Sequence, residues 1–151
     1  MDDFTLSNLY ESRNEWSARL ISILTPLIVQ GFNSIFEESI NLCNENNEND
    51  KYLMTFQNLL SRVPKWNEAI LEKEYNRIID QSNCSYLSDL LSCVHVIQLK
   101  ILTCVRAGKE QKKIDIDIPK FTTFLQNIYS NSARKIYTNI YLYEKNILKF
   151  V

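Results

Sequence analysis

Glycine is almost missing from this chain. Of 151 residues only Gly31 and Gly108 are glycine, and three are proline. A turn-rich sandwich or barrel needs many more of both, so long helices are the better expectation. Two glycines 77 positions apart also cannot write a GxGxxG or GxxxxGKS/T phosphate loop. Histidine is scarcer still. His95 stands alone, so a zinc cluster lacks its ligands and any Ser–His nucleophile pair would have to use this one residue. Cys43, Cys84, Cys93 and Cys104 form no CxxC pair, which points to a reducing compartment; Cys93 and Cys104, eleven apart, can share a helix face as small core residues. The Met-Asp-Asp start carries no signal-peptide pattern. The longest largely apolar run, LISILTPLIV at 20–29, has half the length of a membrane span and contains Pro26, so no membrane insertion is expected.

What is present suits one domain, residues 1–151, with a single core: 45% of the residues are hydrophobic and 23% charged. The net charge of −1 gives no global pull on nucleic acid. Its distribution is uneven. Residues 1–50 carry −7, residues 51–100 carry +1, and residues 101–151 carry +5. Such a chain can stack head to tail or meet an acidic partner, although opposite ends can also attract within one fold.

Apolar residues recur at helical spacing along most of the chain. Leu9, Trp16, Leu20 and Ile23 mark a first helix, capped by Ser7 or Asn8. Thr25-Pro26 fits the start of a second, carrying Leu27, Ile28, Phe32, Ile35, Phe36 and Ile40. Gly31 inside it costs about 1 kcal/mol against alanine, which a close helix–helix approach would offset. NENNEND, 44–50, reads as a loop. In FQNLLSRVPKWNEAIL, Leu53, Phe56, Leu60 and Val63 face one way before Pro64. Pro64 is expected to open the next helix and Trp66 to fill the wedge between the two. Residues 85–106 have the widest apolar stripe, which predicts a central helix with His95 at its edge. A loop follows at 107–113. Then Ile114, Ile116 and Ile118 alternate with Asp115 and Asp117, as in a strand with one apolar face. Phe121, Phe124, Leu125, Ile128 and Tyr129 open a last helical stretch. The expectation is an all-α single-domain bundle of about six helices, with one short extended segment near 113–118.

Catalytic patterns do not emerge. Glu37-Glu38 and Glu72 with Glu74 sit one or two residues apart and do not face each other on a helix. No GxSxG occurs. The expectation is a non-enzyme with no cofactor and no metal. Arg134, Lys135, Tyr137, Tyr141, Tyr143, Lys145 and Lys149 mix bases with aromatics, a mix that contacts phosphates and stacks on bases. An amphipathic helix with packed tyrosines and snorkelling lysines has the same composition, and the modest local charge favours it over nucleic acid.

Four segments in order, ILTPLIVQGFNSIFEES, LMTFQNLLSRVPKWNEAILEKEYNRII, YLSDLLSCVHVIQLKILTCVR and KKIDIDIPKFTTFLQNIYSNSARKIYTNIYLYE, cover most of residues 23–144. Together they resemble a family of virion-associated, minor-capsid-type structural proteins of nucleocytoplasmic large DNA viruses of the mimivirus and algal-virus type. The resemblance implies a structural or assembly role, with other virion or capsid proteins as partners and self-association as a further option. It places the protein in the virion and, during assembly, in the virus factory of the host cytoplasm. The candidate partner-binding residues are Ile114, Ile116, Ile118, Arg134, Lys135, Tyr137, Tyr141, Tyr143 and Phe150. The alternative is a nucleic-acid-associated factor using the basic C-terminal third.

Overall fold

Residues 3–105 and 117–145 are described by a computed structural model. Five α-helices account for most of them: α1 (Asp3–Glu45), α2 (Tyr52–Arg62), α3 (Glu68–Ser82), α4 (Leu87–Val105) and α5 (Phe121–Thr138). Short 3-10 turns lie at Asn49–Lys51, Val63–Lys65 and Ile140–Tyr143. Among the described residues there is no strand. The chain is an all-α domain, with one helix fewer than expected because α1 runs straight through Pro26.

An internal proline costs a helix about 3 kcal/mol, because it removes a donor and crowds the carbonyl four residues back. Here that carbonyl belongs to Ser22, which is exposed, so water can satisfy it. The residues on either side of Pro26 share one core. Leu20, Leu24, Leu27, Ile28 and Phe32 are all buried in a single cluster. Each contributes about 1.5–3 kcal/mol on burial. Splitting the helix would move half of that stripe off the core.

The polar stretch after α1 is shorter than the expected 44–50 loop. The helix continues to Glu45 and ends with Asn47 in the left-handed region at φ 57°. Glu48 N–H donates to Cys43 O at 2.9 Å and Asn47 N–H to Asn44 O at 3.3 Å, a Schellman closure. Asparagine tolerates this conformation, which explains a tight turn without glycine.

The joint between α2 and α3 differs in detail from expectation. Pro64 lies within the 3-10 turn that closes α2 and does not open α3. Asn67 is the N-cap of α3, its side-chain oxygen accepting from Ile70 N–H at 3.0 Å. Between them Trp66 is extended at ψ 135°, half-buried, with its ring 5.2 Å from that of Tyr129. Gln126 of α5 donates to the Pro64 carbonyl at 2.9 Å. So α5 closes the end of α2, and Trp66 fills the wedge as expected.

The core gathers Phe56, Leu60 and Val63 from the α2 segment, Ile78 from α3, Leu87 from α4, and Leu125 and Tyr129 from α5. α4 is not central, contrary to its apolar sequence. It packs chiefly on α1. Arg13 donates to Gln98 at 3.3 Å, and Arg19 donates to the Tyr86 hydroxyl and stacks on its ring. Rising numbers in α1 thus meet falling numbers in α4, and the pair is antiparallel. Tyr86 and Leu102 remain exposed. The breadth of its apolar stripe predicts a central helix; among the described residues its chief neighbour is α1.

Gly31 faces Tyr129. A Cβ there would overlap the tyrosine hydroxyl and crowd Glu74 Oε1 at 3.1 Å. Gly31→Ala is therefore expected to destabilise by about 1–3 kcal/mol in urea unfolding, despite alanine's better helix propensity. The cost should shrink in a Tyr129→Phe background, where the obstructing hydroxyl is gone. Trp66→Ala should cost about 2 kcal/mol, below the 3–5 kcal/mol of a fully buried aromatic. Pro64→Ala in the same assay should cost less than about 1 kcal/mol.

Candidate interaction surface

A partly buried polar cluster joins three helices. The Tyr129 hydroxyl of α5 donates to Glu74 Oε1 of α3. Arg77, one turn on from Glu74, donates to both carboxylate oxygens, through Nε to Oε2 at 3.0 Å and through Nη2 to Oε1. Nη2 also donates to the Leu27 carbonyl of α1 at 2.7 Å, and Nη1 to Gln81 at 3.2 Å. A carboxylate partly withdrawn from water is costly unless its lone pairs are met, and here they accept from Tyr129 and Arg77. Burial, reinforced by the Glu74 carboxylate, pushes the Tyr129 hydroxyl well above the ordinary tyrosine range. The Glu74 hydrogen bonds push Arg77 upward as well. Every group in the cluster is engaged by another part of the chain, so its chemistry is that of a clasp.

The surface offers something different. An apolar groove of about 360 Å³ lies between α1 and α5. Its α1 wall is Leu20, Ile21, Leu24, Thr25, Ile28, Val29 and Phe32; its α5 wall is Phe124, Ile128, Ser132 and Ile136, with Tyr143 closing one end. Neither wall carries a charge. None occurs between Arg19 and Glu37, nor between Lys120 and Arg134. Ile21 and Val29 on the lip are 61% and 51% exposed, far more than residues of a closed core. The volume falls within the range of ordinary ligand and peptide clefts.

The sequence-predicted residues divide. Arg134, Lys135, Tyr137 and Tyr141 lie exposed at the end of α5 and in the turn beyond it. Tyr143 is half-buried, its ring 5.2 Å from Phe36 and 4.9 Å from Phe56, and burial raises its hydroxyl pKa. It therefore serves the groove's end from within the fold. Ile118 is exposed in the irregular stretch before α5. Ile114, Ile116 and Phe150 lie outside the described residues, as do the 107–113 loop and most of the expected extended segment. The structure brings Tyr143 to the groove; the exposed bases and tyrosines precede it, at the end of α5 and in the turn that holds it. Sequence spacing places Ile128 in a helical stripe but does not single out Ile21 or Val29. The two charge-free runs were the available clue, since a helix with one solvated face seldom lacks charge for so long.

Among the described residues no group of three or more His, Cys, Asp or Glu converges to hold a metal ion. His95 is half-buried on α4. By length and composition alone, α1 and α4 are each apolar enough to cross a membrane. Because Pro26 does not interrupt α1, the short run at 20–29 does not limit the length of its apolar helix; core helices of soluble proteins pass the same test.

The fold and its surface define an all-α bundle with an uncharged groove. The chain belongs to the family described as "Family of unknown function (DUF5764)", whose model matches residues 6–144. No curated protein matches the chain. No solved structure matches it either.

The clasp gives a pH signature. A tyrosine whose pKa is raised on folding adds stability that is fully present below its unfolded pKa of about 10 and is lost as pH climbs above it. Above that point the unfolded chain releases a proton that the folded one retains. Stability should fall by up to about 1.4 kcal/mol per pH unit from this residue alone. Tyr129→Phe should remove that component from the pH dependence of the urea midpoint between pH 9 and 11.

Proposed function

We propose that this protein is a non-enzymatic structural or assembly component of a large DNA virus particle, and that it binds other virion proteins. The particle assignment rests on the resemblance of residues 23–144 to the virion-associated family. The binding assignment rests on the groove between α1 and α5. Its walls are uncharged and its lip is apolar and open, which suits the apolar face of a partner helix with anchors at i, i+3, i+4 and i+7. The exposed Arg134, Lys135, Tyr137 and Tyr141 beyond it provide the mixed polar rim that surrounds such contacts. The working locations are the virion and, during assembly, the virus factory in the host cytoplasm.

The expected outcome is that mass spectrometry finds the protein in purified particles. A photo-crosslinking residue at position 29 should then capture defined virion proteins. Ile21→Glu with Val29→Glu should abolish capture while shifting stability by less than about 1 kcal/mol, since both side chains are exposed. Absence from particles would defeat the proposal. So would steeply salt-dependent binding of DNA or RNA that is lost with Arg134→Ala and Lys135→Ala, the mark of a nucleic-acid factor.

A further inference from the structure

α4 is among the most apolar segments of the chain, yet only 22% of its Leu87–Cys104 span is buried. From Ser92 to Lys100 no residue is buried, not even on the side turned to α1. A helix of this character is normally covered on more than one side. Here its chief neighbour is α1 alone.

The face turned away from α1 has a regular order. Asp89, Cys93, Val96 and Lys100 follow one another at intervals of four, three and four residues, the spacing of a coiled-coil seam. Asp89, Cys93 and Lys100 are exposed, Val96 is half-exposed, and half-exposed Ile97 and Leu99 flank the row. Neither Asp89 nor Lys100 has an ion-pair partner among the described residues.

The two charges lie equally far from the point between Val94 and His95. A second α4 laid antiparallel about that point brings Asp89 opposite the partner subunit's Lys100, and Lys100 opposite the partner subunit's Asp89. Cys93 then meets the partner subunit's Val96, so two ion pairs bracket a small apolar centre. A parallel pairing would instead oppose like charges, and a lipid environment would leave both charges without a partner. We infer that the outward face of α4 is the seam of a two-fold symmetric homodimer, formed by antiparallel docking of α4 on the same helix of a second copy. This is independent of the α1–α5 groove, which stays open in the dimer to other proteins.

The experiment is sedimentation of the purified full chain across the micromolar range. Asp89→Lys or Lys100→Asp alone converts both ion pairs to repulsions and should weaken the dimer by roughly ten- to thirty-fold. The two together should restore it. Cys93 sits so near the axis that its twin is displaced by only about 4.5 Å along the helix. A short bismaleimide should therefore link two chains through Cys93. Cys93→Ser should lose the link and keep the dimer, which separates proximity from a cysteine artefact. A monomer at all concentrations overturns the inference, as does failure of the double reversal to restore association. Flotation of a monomeric chain with phosphatidylcholine vesicles, lost on Val96→Glu, also overturns it and assigns the face to a lipid surface.

Discussion

The architecture turns on one close approach. Gly31 of α1 lies so near Tyr129 of α5 that no other residue fits without displacement. The Tyr129 hydroxyl donates to Glu74 of α3, and Glu74 is held by Arg77, which reaches back to the Leu27 carbonyl of α1. Three helices are thus tied by a closed circuit of polar contacts set at the edge of the apolar core. Such circuits contribute less net energy than their hydrogen bonds suggest, because desolvation offsets much of the gain. Their effect is geometric. Each member has a partner in one arrangement only, so the mutual placement of α1, α3 and α5 becomes specific.

That placement explains the groove. α1 and α5 meet at Gly31–Tyr129 and at the ring contact of Phe32 with Tyr129, centroids 5.1 Å apart. Away from this point the two walls stand apart, and Ile21 and Val29 of α1 and Ile128 and Ile136 of α5 line the gap. The same axis accounts for Pro26. It lies on the exposed side of α1 while the buried stripe passes beneath it unbroken. Tertiary burial on both sides outweighs the local loss of one hydrogen bond.

Much of this was legible in residue spacing. The all-α class follows from helical periodicity in a chain with two glycines. The role of Gly31 as a site of close approach, and of Trp66 as a wedge filler, could be read from their positions in amphipathic segments. The clasp could not. Glu74 and Arg77 look like a surface pair one turn apart, and nothing local reveals that the Tyr129 hydroxyl, fifty-five residues on, will donate to Glu74 and leave the pair only partly exposed. The misplacement of α4 has a similar cause. A broad stripe shows how much apolar surface a helix has but not how many neighbours the fold will supply.

By itself, then, the sequence determined what depends on neighbours along the chain: the helix faces and the lack of a glycine-rich phosphate-loop motif. Helical periodicity and capping are local, so they are written in spacings of three and four residues. The tertiary structure decided whether Pro26 would break a helix and which apolar faces would be covered. It also decided that two charge-free runs a hundred residues apart would face one another across an open groove. Those outcomes depend on the summed packing of distant segments, and no short spacing encodes that sum.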